Sequence, residues 1–134
     1  MDLEKEAATA SHWSVEQYRA VFSEGAPQRI ALVVDEIGII QGFIVGRAVR
    51  GEWEIENLIV ASAARRKGMG LELLRRFIEL AGAEGAQAIF LEVRESNRAA
   101  RALYEKCGFV EAGSRLRYYR NPDDDAVIYR LALA

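Results

Sequence analysis

The chain reads as an α+β domain in three layers, helix, sheet and helix, and three observations carry that reading. Residues 52–60, 70–81 and 88–93 follow one another as strand, helix and strand, which implies a parallel pair. Ahead of them, "RIALVVDE" (29–36) and "IIQGFIVGRAV" (39–49) are β-branched runs around Gly38, the pattern of a hairpin. Behind them, "FVEAGSRLRYY" (109–119) and "DAVIYRLAL" (125–133) close as two more strands, which makes the sheet mixed.

"SVEQYRAVF" (14–22) places Val15, Tyr18 and Phe22 at helical spacing, and Ser14 with Gln17 forms a Ser-x-x-Gln capping pattern, so a first helix is expected there. The hairpin follows. "EWEIENLIV" (52–60) begins with strict alternation and then runs continuously through Leu58, Ile59 and Val60. A strand passing into full burial would read this way, and so would a β-bulge that shifts the register; the bulge is the favoured reading. Gly70, Leu73, Leu74, Phe77, Ile78 and Ala81 then share one helical face, with Glu72, Arg75, Arg76 and Glu79 opposite. That helix is expected to stop at Gly82 or Gly85. "AIFLEV" (88–93) is a buried strand, and "NRAARALYEKC" (97–107) a second amphipathic helix stopped by Gly108.

Composition narrows the function. The 134 residues suit one domain spanning 1–134, and 51% hydrophobic with 28% charged residues is ordinary for a globular chain. A net charge of −2 gives no bulk attraction to nucleic acid or to an anionic membrane. No apolar run approaches the ~20 residues of a membrane span, and "MDLEKEAATA" lacks the basic and apolar regions of a signal peptide. A cytoplasmic protein is the expectation. With Cys107 the only cysteine, an internal disulfide and a cysteine-rich metal site are excluded. With His12 the only histidine, a histidine-rich zinc site is excluded too, and a Ser-His-Asp triad would rest on that one residue. Any catalysis must draw on carboxylates, tyrosines, hydroxyls, lysines or the backbone, with no metal.

The hexapeptide "RRKGMG" (65–70) stands where the central strand gives way to the first strong helix. A helix N-terminus leaves about four N–H groups unpaired and carries roughly half a positive charge. Gly68 and Gly70 would admit a ligand close to the backbone, with Arg65, Arg66 and Lys67 adding charge beside it. An anion-binding turn, most naturally for a pyrophosphate, is one reading; a glycine-containing turn with solvated cations is the other. It is not a P-loop, since no Gly-Lys-Ser/Thr follows, and no third glycine completes a dinucleotide fingerprint.

Glu92 interrupts an otherwise apolar strand. It is either a strand-end carboxylate paired with Arg94 or Arg98, or a desolvated general base. Tyr104, twelve positions on, is either core packing or a phenol placed to protonate a leaving group. Glu52, Glu54 and Glu56 line one strand face. They are a solvated surface, or they attract a cationic substrate or relay a proton, with Glu56 in reserve as base. Tyr118 and Tyr119 line a substrate groove or alternate between core and surface. Cys107 reads as a small buried hydrophobe, and His12 as surface or packing.

Taken together, Arg-x-x-Gly-x-Gly after a strand, the amphipathic helix, the buried strand, "ESN" and "ALYEKCGF" resemble the GNAT superfamily of N-acetyltransferases. The resemblance runs from Glu52 to the C-terminus. Within the superfamily, "LEVRESNRAARALYEKCGFVEAGSRLRYY" looks most like the bacterial ribosomal-protein alanine N-acetyltransferases of RimI type. The resemblance implies a splayed mixed sheet with acetyl coenzyme A between its two parallel strands. It also implies that the amides of residues 66–71 (Arg66, Lys67, Gly68, Met69, Gly70, Leu71) cradle the pyrophosphate, and that Leu58, Ile59 and Val60 pair with the pantetheine arm. Asn97 matches a cofactor-contacting asparagine, Glu92 the catalytic base and Tyr104 the acid. The implied acceptor is a protein N-terminus, a ribosomal protein among the candidates, with no nucleic acid or membrane involved; the alternatives are lysine side chains or small amines as acceptors, or a non-catalytic sensor of acyl coenzyme A. One departure stands out: the family opens with a strand before its first helix, and here that strand is expected to be missing.

Overall fold

A computed structural model describes residues 13–20, 28–61, 68–120 and 123–133. Its elements are β1 (Trp13–Ala20), β2 (Arg29–Glu36), β3 (Ile39–Val49), β4 (Glu52–Val60), α1 (Met69–Ala83), β5 (Ala88–Arg94), α2 (Arg98–Lys106), β6 (Val110–Tyr119) and β7 (Asp124–Ala132). The strands form one seven-stranded sheet in the order β1-β2-β3-β4-β5-β7-β6. β4 and β5 are parallel and every other neighbouring pair is antiparallel. This is the α+β class with a mixed sheet that the sequence predicts.

The first element differs from expectation. Residues 13–20 are a strand, paired with β2 in the register Val15↔Val34, Gln17↔Leu32 and Arg19↔Ile30. The helical reading rested on three residues, of which Phe22 lies outside the described residues. Val15 and Tyr18, which share a helical face by spacing, fall on opposite faces of the strand. Without β1 the backbone of β2 would be an unpaired sheet edge, and tertiary pairing outweighs a weak local preference. Tyr18, expected on a packed helix face, is 54% exposed and donates to Glu16 Oε1 at 2.8 Å. A leading strand therefore precedes the hairpin where none was expected.

The break in β4 is a bulge. Gly46 stands opposite Ile55 and Val45 opposite Asn57, which leaves Glu56 as the extra residue. Trp53 and Ile55 are buried, Leu58 and Val60 half-buried, and Ile59 is 49% exposed. Alternation thus resumes one step out of phase instead of giving way to continuous burial.

Both described helices lie on one face of the sheet. Phe77 of α1 meets Trp53 edge-on, with centroids 6.1 Å apart, and Tyr104 of α2 packs on Phe109 and Tyr129 at 5.7 and 6.1 Å. Trp53 pairs with Ile89, and Leu91 with Tyr129, so these contacts belong to the same face. The helices end as predicted: Gly85 and Ala86 donate back to Gly82 and Ala81, and Gly108 and Phe109 to Glu105 and Tyr104. No described element covers the other face, so the second helical layer of the three-layer expectation is not among the described residues. That face instead carries the pairs Arg29–Glu56 (3.0 Å), Arg47–Glu54 (2.8 Å) and Arg130–Glu52 (3.0 Å). Glu52, Glu54 and Glu56 thus lie on a surface face on which each is paired with an arginine. No described helix is long and apolar enough to cross a membrane.

At Gly46 the ring of Phe77 from α1 lies against the sheet backbone. A Cβ built there would overlap Phe77 Cζ and stand 3.0 Å from the Glu54 carbonyl oxygen. Phe77 is fully buried and has nowhere to turn. Gly46→Ala is expected to destabilise the fold by about 1–3 kcal/mol through overpacking. Urea denaturation reads this out, and an unchanged midpoint would show that the ring can shift after all.

Candidate active site

The parallel ladder between β4 and β5 has three rungs, Trp53↔Ile89, Glu54↔Phe90 and Ile55↔Leu91. The bulge at Glu56 follows immediately, and beyond it the two strands no longer pair. Two cavities occupy the opening. One of about 430 Å³ is lined by Leu58, Ile59, Val60, Gly70, Leu103 and Tyr104, among others. The other, of about 350 Å³, includes Glu56, Glu92, Arg94, Tyr104 and Tyr119 in its lining. Leu58, Asn97, Ala100 and Tyr104 line both. A third hollow of about 440 Å³ lies between β1 and α1. Its Val15, Leu80 and Arg19–Glu84 ion pair offer no group suited to covalent chemistry.

The turn into α1 leaves its first amides without a side-chain cap. Gly68, the N-cap, has φ +77°, a left-handed conformation that side-chain-bearing residues rarely adopt. No side chain caps this end, and the first intrahelical bond runs from Glu72 N–H to the Gly68 carbonyl. The earlier amides of the first turn thus stand at the positive pole of a 15-residue helix. Gly70 opens into the larger cavity. Met69 is buried, so its side chain belongs to the core and only its backbone faces the turn. Arg65, Arg66 and Lys67 lie outside the described residues, as do His12, Pro27 and Pro122. A pyrophosphate at the turn and an extended arm along Leu58–Val60 suit this cavity. Asn97 has a structural duty beside any ligand contact: its Oδ1 accepts from Ala100 N–H at 3.2 Å and caps α2.

Glu92 alternates away from the buried Leu91 and Val93 and reaches the smaller cavity. Its side chain is 20% exposed, yet Oε2 is buried and makes no hydrogen bond. The sequence offered Arg94 or Arg98 as its partner. The structure corrects this to Arg115, whose Nε stands 3.4 Å from Oε2. Arg94 instead lies 4.5 Å over the Tyr119 ring and donates to the Arg120 carbonyl at 3.2 Å. Nothing in the spacing between Glu92 and Arg115 marked them as neighbours, because β6 reaches β5 only across β7.

Tyr104 is 6% exposed, and its hydroxyl donates to no described residue. Burial, and after it the nearby Tyr119, pushes the phenol up to about 12. It therefore stays protonated through the neutral range. α2 is pinned behind it by contacts the sequence did not announce. The Tyr129 hydroxyl donates to Glu105 at 2.6 Å and accepts from Arg101 Nε at 3.0 Å, and Arg101 also reaches Glu111 at 3.0 Å. Tyr119 lines the smaller cavity, and burial followed by the charge of Glu92 raises its phenol. Tyr118 is 48% exposed and lies outside that lining, so the two adjacent tyrosines have different places. Ser96 Oγ donates to Asp124 at 2.5 Å, which ties the β6–β7 end to the turn after β5.

Glu92 and the protonated phenol of Tyr104 thus border one opening in the sheet, and the cavity that reaches Gly70 of α1 joins it at Tyr104. Among the described residues no group of three His, Cys, Asp or Glu is placed to hold a metal ion. A model of the acetyltransferase (GNAT) family matches residues 1–109. The ribosomal protein bS18-alanine N-acetyltransferase of Escherichia coli (strain K12) is 37% identical over 99 residues, covering 72% of this chain and 67% of its own length. The N-alpha-acetyltransferase RimI of Mycobacterium tuberculosis is 38% identical over 86 residues, which is 64% of this chain and 52% of that protein. Among solved structures, the ribosomal-protein-S18-alanine N-acetyltransferase from Escherichia coli superposes with a TM-score of 0.75 at 33% identity, covering 79% of this chain and 70% of that one. A Bacillus anthracis acetyltransferase in complex with acetyl coenzyme A gives 0.73 at 30% identity, covering 86% and 69%.

Proposed function

The chain belongs to the acetyltransferase (GNAT) family and is an acetyl-coenzyme A-dependent N-acetyltransferase, and from that premise we propose that its acceptor is the N-terminal α-amine of a protein, with Glu92 and Tyr104 handling the protons. A ribosomal protein is the first candidate, since the Escherichia coli relative, similar in both sequence and structure, is named a ribosomal protein bS18-alanine N-acetyltransferase. The observation that carries the residue roles is the meeting of two cavities at Tyr104, with Glu92 on the far side.

In this reading the donor lies along Leu58, Ile59 and Val60, its diphosphate on the amides entering α1, and it supplies an acetyl group activated as a thioester. The acceptor enters past Tyr119. Glu92 removes a proton from its ammonium, which an α-amine titrating near ~8 gives up readily. The freed amine attacks the acetyl carbon, and N–H groups on the open edge of β4 face the carbonyl oxygen as its charge develops. Tyr104 donates a hydrogen bond to the departing sulfur. A phenol pushed up to about 12 transfers its proton uphill to a thiolate with an ordinary value near ~8.5. The hydrogen bond at the developing charge therefore carries the rate effect; as the C–S bond breaks the proton follows to sulfur, and the second proton shed by the attacking nitrogen restores the phenol.

A thiol-release assay with acetyl coenzyme A and three acceptor classes tests the acceptor: alanine-initiated peptides, free lysine and a polyamine. Turnover of the peptides is expected. Turnover confined to lysine or the polyamine would overturn the protein-terminus reading.

A further inference from the structure

We propose that Tyr129 is a positioning residue for the acid step: its hydroxyl, clasped between Arg101 and Glu105, sets α2 so that the Tyr104 phenol meets the departing sulfur. The inference rests on the reading that Tyr104 serves that sulfur.

The Tyr104 hydroxyl bonds to no described residue, so its direction is decided by the ring and by the helix that carries it. α2 is nine residues long, and Tyr104 is its one buried side chain. The half-buried Ala100 and Leu103 line the donor cavity, so they pack fully only with a donor in place. A short helix held this way has little apolar packing to stop it sliding or turning.

Polar contacts supply the restraint. Arg101 and Glu105 stand one turn apart on α2, and the Tyr129 hydroxyl lies between them, accepting from Arg101 Nε at 3.0 Å and donating to Glu105 Oε2 at 2.6 Å. The other two nitrogens of Arg101 donate to the Glu95 carbonyl and to Glu111 Oε2, each at 3.0 Å. A hydroxyl with a donor on one turn and an acceptor on the next fixes the height of the helix as well as its rotation. Tyr129 is fully buried, so bulk water does not compete for these bonds.

The clasp sits on a particular row of the sheet. Ile55, Leu91, Tyr129 and Glu111 face one another across β4, β5, β7 and β6, and this is the last row before β4 and β5 part. Glu92 is the next residue along β5. Base and acid thus take their places from the same row. Glu92 does so through its backbone, and Tyr104 through the clasp and through its ring, 6.1 Å from that of Tyr129. A shift of α2 would carry the phenol off the sulfur and leave Glu92 where it is. Misplacement by about 1 Å can cost ~100-fold in rate.

The test measures the whole protein and its Tyr129→Phe, Tyr104→Phe and doubly substituted forms. The substrates are acetyl coenzyme A and an alanine-initiated peptide, replaced by free lysine or the polyamine if only those turn over. Tyr129→Phe keeps the ring and removes the clasp. It should lower kcat about tenfold, with KM for the acceptor and Kd for acetyl coenzyme A within about twofold. A residue that works through Tyr104 has nothing to act on once the phenol is gone. Adding Tyr129→Phe to Tyr104→Phe should therefore cost less than about twofold more. Glu105 is exposed, so Glu105→Ala keeps the test open should Tyr129→Phe fold poorly. Its kcat should fall to the same extent, and Glu105→Gln, which retains an oxygen for the hydroxyl, should recover most of the loss. An unchanged kcat in both Tyr129→Phe and Glu105→Ala overturns the proposal, as does a loss that persists undiminished in the Tyr104→Phe background; either result leaves the role of Tyr104 standing. Near-normal kcat in Tyr104→Phe removes the acid reading itself, and this inference with it.

Discussion

Glu92→Gln is expected to lower kcat by about 100- to 10,000-fold, the range for losing a positioned general base. Acetyl-coenzyme A affinity should stay within about twofold, because Glu92 does not line the cavity along Leu58–Val60. The amide keeps the shape of the side chain and removes only its capacity to take a proton and to pair with Arg115. Glu56→Gln is the control. Glu56 borders the same cavity, but Arg29 holds it through both oxygens, so its kcat should change far less. If steady-state kinetics instead ranked Glu56→Gln as the more damaging change, the base role would pass to Glu56.

Tyr104→Phe should be nearly as costly, about 100-fold or more in kcat, with little effect on folding. The ring contacts with Phe109 and Tyr129 survive the loss of a hydroxyl that bonds to no described residue. The pH profile sharpens the test. A phenol that must be protonated, with its value pushed up to about 12, keeps its proton as the pH rises through the ordinary tyrosine range near ~10. The rate should therefore not fall there on account of Tyr104. A decline centred near ~10 in the native enzyme that disappears in Tyr104→Phe would mean that the phenol is ordinary, and that burial does not govern it when donor and acceptor are bound.

Most of the fold was legible because its signals are local. The helix over 70–81 announces itself by one apolar face and a glycine stop, and the bulge at Glu56 by alternation that falls out of phase. The strand at 13–20 was not legible. Three residues at helical spacing weigh little against an open edge on β2, and that edge exists only once the sheet is assembled. The site divides along the same line. Glu92 stood out as a carboxylate in an apolar strand, and Tyr104 as an aromatic on the helix that follows. Their surroundings are non-local: Arg115 meets Glu92 across an intervening strand, and Tyr129 joins Arg101 and Glu105 from a distant one. Each arginine in the sequence had several acidic candidates, and only the register chooses between them.

The three-rung ladder between β4 and β5 has a thermodynamic consequence. Among the described residues, main-chain bonding between the four-stranded meander and the last three strands is confined to that short seam and the adjoining bond from Gln87 N–H to the Gly51 carbonyl, so the halves are suited to opening as separate cooperative units. A donor placed in the gap as proposed would touch both and supply cross-bracing that the polypeptide omits. Its binding energy then adds to the resistance of the whole sheet against unfolding, in proportion to the logarithm of its concentration above the dissociation constant.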